Sequence, residues 1–224
     1  MKKQFINLMA LVTMLAFVAC DGNKKTEDDT TGDDTANADE QQTEKTCTYT
    51  YVHDSTAVSW TAYKFTEKVG VGGKFDSCHV EPEMKAGSIS EILNNLEFVI
   101  PVNKSNSNNE DRDKKILEHF WGTMLGTEAI KGVISEVSEK DNGGTATVGL
   151  VMNEVEQAVN AFYQIAENGA FTLTATVNMA NFDAQPAVDK LNEICKELHT
   201  TNGVSKLWPD VDVVVKGYLK KECK

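Results

Sequence analysis

The chain lacks a basic excess, an apolar run long enough to cross a bilayer, an internal repeat and any short motif that marks a nucleophile. Lysine and arginine total 22 against 34 aspartates and glutamates, a net charge of −12 over 224 residues, which leaves no basic face for nucleic acid. The longest apolar run, Phe5 to Ala19, falls short of the ~20 residues that a spanning helix needs. No Gly-x-Ser-x-Gly or His-Glu-x-x-His occurs. Gly70, Gly72 and Gly73 have neither the spacing nor the following helix of a phosphate-binding loop. Asp111-Arg112-Asp113 reads as helix N-terminal charge plus a salt bridge. Glu118 and His119, adjacent on a helix, point apart. The chain is therefore read as a non-enzyme without a cofactor or metal.

The N-terminus has a different purpose from the rest. A positive Met1-Lys2-Lys3 and the short apolar run describe a secretory signal peptide over residues 1–19. Phe17-Val18-Ala19-Cys20 resembles the bacterial lipobox, in which Cys20 becomes the lipidated N-terminus; the alternative is an ordinary signal peptide that contains a cysteine. Residues 21 to 46 hold nine acids, three lysines and no aromatic or branched aliphatic residue, so they have nothing to bury. With Cys20 they form an expected disordered acidic tether over residues 20–46, reaching on the order of 28 Å. The acids close behind the cysteine also resemble surface-export signals of Bacteroidetes-type lipoproteins, the alternative being a plain spacer in the periplasm. Residues 47–224 remain for one domain.

That domain is organised around Gly169 to Asn181, where Phe171, Leu173, Ala175, Val177 and Met179 alternate with Thr172, Thr174, Thr176 and Asn178. Period two makes this a strand with one apolar face. Asn168-Gly169 ahead of it predicts a tight type I′ hairpin. Further strands are expected at Val58 to Phe65, Val69 to Val80 (bent or bulged at its glycines), Glu97 to Val102, Ala129 to Lys140, Thr145 to Asn153, Glu156 to Glu167 and Val211 to Leu219. Ser88 and Glu91 are spaced as a capping box for a helical turn. Helices are expected over Glu110 to Trp121, with Ile116–Phe120 and Leu117–Trp121 as inner pairs, and over Asp183 to His199, with Ala187, Leu191, Ile194, Cys195 and Leu198 inward. The fold class is mainly β: an antiparallel barrel of about eight strands with two short helices, wide enough to be filled by side chains or to hold one small ligand.

Beyond Cys20 an even number of cysteines, in an exported chain, favours disulfides and allows three pairings. Cys47 precedes the first expected strand and Cys223 follows the last, so a closing barrel brings them together; the expected bonds are Cys47–Cys223 and Cys78–Cys195. A zinc site from Cys78, His79, Cys195 and His199 is the competing reading, opposed by the oxidation of exported thiols.

Three groups of residues resemble the YceI-like family. They are Val58-Ser59-Trp60-Thr61-Ala62-Tyr63-Lys64 with Val71-Gly72-Gly73-Lys74-Phe75; Ile100-Pro101-Val102 with Asp111-Arg112-Asp113, Leu117 and Phe120; and Leu191-Asn192-Glu193-Ile194-Cys195 with His199 and Trp208-Pro209-Asp210-Val211. Asn153-Glu154 stands where relatives often have Asn-Gly. The resemblance implies an elongated lipocalin-like barrel around an apolar cavity for a polyisoprenoid or similar long-chain lipid, without a catalytic centre. Alternation independently supplies a lining: Trp60, Ala62, Val148, Leu150, Ala161, Tyr163, Leu173, Ala175 and Val177, with the alanines leaving room. The expected function is a cell-envelope lipoprotein, at the outer membrane facing periplasm or cell surface, that carries or stores such a lipid. The rival is a filled barrel used as a scaffold, engaging a partner through Asn103 to Asn109 and Thr200 to Asp210.

Overall fold

The computed structural model describes residues 46–126 and 128–224. The expected signal peptide, Cys20 and nearly all of the expected tether lie outside the described residues. In chain order the strands are β1 (Cys47–Tyr51), β2 (Ala57–Lys64), β3 (Val69–Phe75), β4 (His79–Glu81), β5 (Lys85–Ala86), β6 (Glu97–Pro101) and β7 (Ser105–Asn106). They continue as β8 (Ala129–Lys140), β9 (Gly143–Met152), β10 (Val155–Ile165), β11 (Ala170–Asn178), β12 (Thr200–Thr201), β13 (Val204–Ser205) and β14 (Leu207–Cys223). The α-helices are α1 (Ile89–Leu93), α2 (Glu110–Lys115) and α3 (Gln185–Ile194).

Seven of the eight expected strands form close to their expected places, while the remaining one, Val69 to Val80, divides into β3 and β4; further strands too brief to show a period join them. The main sheet runs β4-β6-β8-β9-β10-β11-β14-β2-β3-β7, with β1 on β14 and β5 on β1. It curls into a half-barrel, and the expected full closure by hydrogen bonds is not made: β4 and β7 end the path. The bend at Asp76 to Cys78 parts β4 from β3, and β4 is only three residues long, so no strand bridges the gap. β14 extends further at both ends than expected, pairing with β11, β2 and β1. Its register against β2 shifts between Leu207 and Val211, around Pro209, which has no N–H to donate.

The glycines of β3 produce no bulge, because the β2–β3 register is unbroken from Lys64↔Val69 to Val58↔Phe75. Gly73 instead faces Trp60, and a Cβ there would run into the indole ring. Asn168-Gly169 also differs from expectation. Only Gly169 has positive φ (88°), and its N–H donates to the Ala166 carbonyl at 2.8 Å, so the loop is a turn followed by a left-handed glycine rather than type I′. At Asn153-Glu154 both residues are left-handed, φ 51° and 60°, and the tight turn forms despite the missing glycine.

Ser88 Oγ accepts from the Glu91 N–H at 3.2 Å, while the Glu91 carboxylate reaches back to the Gly87 N–H at 3.0 Å, one residue before the cap. Asn109 caps α2 through its Oδ1, and Asp113 accepts from the Ser107 N–H. The second expected helix is α2 for its first six residues and then widens into a π-turn at Ile116–Phe120, with Trp121 N–H bonding back to Ile116. The wider turn rotates Leu117 into solvent, 41% exposed, instead of pairing it inward with Trp121. The third starts two residues late because Asp183 is left-handed. Ala187, Val188 and Cys195 are buried, whereas Ile194 and Leu198 are exposed, contrary to the helical stripe.

Cys47 and Cys223 lie within β1 and β14 as register partners and form a disulfide. Cys78 and Cys195 are free thiols, so the second expected bond is absent. Cys195 sits near the Lys64 end of the β2–β3 hairpin, where Lys64 Nζ reaches the Leu198 carbonyl. Cys78 follows the Phe75 end, roughly 20 Å of strand away and far beyond disulfide reach. On the outer face Thr176 Oγ1 and the Tyr63 hydroxyl both donate to Asp212, tying β11, β14 and β2 together and holding that carboxyl below its usual range.

Because a non-glycine residue is strained in the left-handed region, Glu154→Gly should raise unfolding free energy by roughly 0.5–1 kcal/mol. Urea denaturation measures it, and an unchanged or lower midpoint contradicts the account.

Candidate functional site

The inward faces do not meet in the middle. They enclose a cavity in which about 210 Å³ is open to the centre of a water-sized sphere, whereas one water needs roughly 10–15 Å³ by that measure. Among the described residues no charged side chain lines it. The lining residues that carry a hydroxyl, thiol or indole N–H are Tyr51, Thr56, Ser105, Cys78 and the three tryptophans. Burial pushes the Cys78 thiol up to about 11, which leaves it protonated and a poor nucleophile.

Seven of the nine residues read from alternation are on the cavity wall: Trp60 and Ala62 from β2, Val148 and Leu150 from β9, and Leu173, Ala175 and Val177 from β11. Ala161 and Tyr163 face inward and are 1% and 2% exposed, yet they belong to the packed wall rather than the cavity surface. Tyr163 stacks on Phe171 at 6.1 Å, and Tyr51 meets Phe171 edge-on at 6.1 Å. These three rings floor one end, with Tyr163 behind the other two. The opposite end is capped by the π-turn and α3, from which Ile116, Phe120, Val188 and Leu191 line the cavity together with Trp121 just after the π-turn. Phe98 and Ile100 on β6 also line it and were legible as an alternating pair around the exposed Val99. The curl that carries β6 over the interior was not.

The four candidates for a zinc site are not brought together, since Cys78 and Cys195 lie at opposite ends. Among the described residues no group of three or more His, Cys, Asp or Glu is placed to hold a metal. His79 pairs with Glu81 on the surface at 2.8 Å. His199 is buried beside Asn192, whose Oδ1 accepts from Nδ1 at 3.1 Å and from Ser205 Oγ at 3.1 Å. Among the described residues no histidine and no carboxylate line the cavity.

Comparison of the whole sequence with protein-family models finds a YceI-like domain over residues 49–216. The chain belongs to the YceI-like family. Its strands superpose on a polyisoprenoid binding domain from Saccharophagus degradans implicated in plant cell wall breakdown, at TM-score 0.55 and 12% identity, covering 78% of this chain and 98% of that one. Burkholderia cenocepacia BcnA is similar to the same degree, TM-score 0.55 and 12% identity over 76% and 99% of the two chains. At these identities the likeness is one of fold. No curated protein sequence matches the chain. Within this YceI-like domain the matched span covers every cavity-lining strand, including β14 as far as Val215.

Burial first, and then the nearby Lys64 charge, lower the His199 pKa from 6.5 to about 4, so the imidazole is neutral in the folded protein. Its contribution to stability is therefore complete above pH 6.5 and is lost as pH falls from there toward 4. Urea midpoints across that window should drop more steeply for the native chain than for His199→Gln; parallel profiles exclude His199 as the source.

Proposed function

We propose that this domain binds a polyisoprenoid or a similar long-chain lipid inside its half-barrel, as a lipid-anchored protein of the cell envelope that carries or stores that lipid. The observation that carries the reading is a hollow interior lined, among the described residues, by no charged side chain. Such a surface has nothing to offer a polar substrate, while each methylene it takes from water gains roughly 0.8 kcal/mol. A ligand of a few isoprene units is thus held by area alone, without directional contacts. The fold shared with a polyisoprenoid binding domain supports the same class of ligand. The scaffold alternative needs an interior filled by its own side chains, and the cavity speaks against it.

Native mass spectrometry of protein purified from its own host should show a co-purifying long-chain lipid; repeated recovery of the empty domain overturns the proposal. Ala175→Phe places a ring in the cavity. It should cut lipid occupancy at least tenfold while destabilising the fold by less than the roughly 1–3 kcal/mol that overpacking a filled core costs. The envelope placement rests on the lipobox-like residues before Cys20. An N-terminal peptide that begins at Cys20 and carries the mass of acyl chains is expected, and an unmodified Cys20 rules out the anchor.

A further inference from the structure

The large apolar side chains that stand in solvent are unevenly placed. Val69, Leu117, Leu125, Ile194, Leu198 and Val204 belong to one end of the half-barrel, whereas Val99, Val151, Phe162 and Tyr218 are scattered over outward strand positions. Three sets of contacts fix the first group to that end. Val69 opens β3 opposite Lys64, which pairs with Leu207 at the start of β14. Lys64 Nζ donates to the Leu198 carbonyl at 3.0 Å, and the Lys206 N–H donates to His199, two residues after Val204. The Leu125 N–H reaches Asn153 Oδ1 at 2.7 Å, and Asn153 in turn holds the Phe182 carbonyl just ahead of α3. Leu117 and Ile194 sit on the π-turn and α3, which pack on each other. Leu125 and Leu198 are 64% and 59% exposed, a degree that packing within the chain does not explain.

Lysines and carboxylates both ring this apolar cap: Glu118, beside Leu117, takes Lys114, and Glu193, beside Ile194, takes Lys190. Lys68 and Lys206 place their Nζ atoms 4.4 and 4.8 Å from the centre of the Trp208 ring, and Lys64 lies 4.6 Å from that of Phe65. Lys196 is exposed in the turn before Leu198. Asp210 takes Lys68 at 3.3 Å, and Glu67 and Glu197 are exposed in the same segments. Lys64 and Lys206 have no carboxylate partner among the described residues. In a chain of net charge −12, this gathering of lysines, two of them over the half-buried Trp208 ring, and of exposed aliphatic side chains has the composition of a surface that sits at a lipid headgroup layer.

The cap is also thin. On the π-turn Ile116 and Phe120 face the cavity while Leu117 faces out, and on α3 Leu191 faces the cavity while Ile194 faces out, with Leu198 exposed on the turn that follows. We propose that this end is a docking face for a phospholipid bilayer with anionic headgroups, where the exposed aliphatic side chains enter the interface and the lysines meet phosphates. Its purpose, exchange of lipid between bilayer and cavity across the cap, rests on the lipid-binding reading; docking itself does not.

The test is hydrogen–deuterium exchange on the full chain carrying Cys20→Ser, with and without phosphatidylethanolamine–phosphatidylglycerol vesicles. Exchange should slow at residues 64–69, 115–126 and 194–208 and stay unchanged at the opposite turns, 141–144 and 166–170. The double variant Leu198→Ser/Val204→Ser, altered only where side chains already stand in solvent, should partition onto vesicles about tenfold less. Lys64→Glu/Lys206→Glu should weaken partition further as phosphatidylglycerol increases. Uniform protection, no protection, or unchanged partition of the double variant overturns the proposal. So does protection that grows with protein concentration in the absence of lipid, which assigns the face to a second copy of the chain. A lipid recovered from the cavity with no docking removes this inference and leaves the ligand reading intact, and an empty cavity with docking does the reverse.

Discussion

β14 carries hydrogen bonds on both edges through its middle: β11 on one side from Asp210 to Tyr218, and on the other β2 followed by β1 out to Cys223. Everything else in the domain depends on that seam. It joins the first third of the chain to the last, and it sets which face of each strand looks inward, because a shift of one residue would turn Val211, Val213 and Val215 outward. Closing such distant pairings costs loop entropy before it returns any contact. The Cys47–Cys223 bond at one end and the Asp212 bonds to Tyr63 and Thr176 toward the other hold the same seam.

The curl of the sheet then decides what the inward residues can do. Along a flat sheet they would simply be covered; around a half-barrel they face one another across a space. Residues near the Tyr51–Phe171–Tyr163 cluster are large enough to fill it. Farther along, Ala62, Ala175, Val177 and Val213 are too small, and the wall stands apart. Among the described residues that wall carries no charged side chain and few hydroxyls, so what it presents to the interior is shape and apolar area.

Period-two alternation made the strands readable, and seven of the nine residues assigned to the lining by that rule are on the cavity wall. Ala161 and Tyr163 obey the rule and still miss the cavity, since alternation reports the face of a residue and not its depth along the barrel. The same limit explains the cysteines. Cys47 and Cys223 follow from strand pairing, but the positions of Cys78 and Cys195 depend on which ends of the barrel their segments reach. Helical periodicity was least informative where the helix departs from 3.6 residues per turn: the π-turn moved Leu117 to the outside, and the short α3 left Leu198 on a 3₁₀ turn. Gly73 looked like a bulge in isolation; its reason is the Trp60 ring on the neighbouring strand, which only the register reveals.

The bond between Cys47 and Cys223 has a mechanical consequence. A pull on the chain ahead of Cys47 would otherwise peel β1 from its neighbour one hydrogen-bonded pair at a time, the weakest loading geometry for a strand. The cross-link routes that load directly into β14, which is gripped along both edges, so tension reaching the domain is borne in parallel by many backbone bonds. Only reduction of the sulfur bridge would let the first strand unzip.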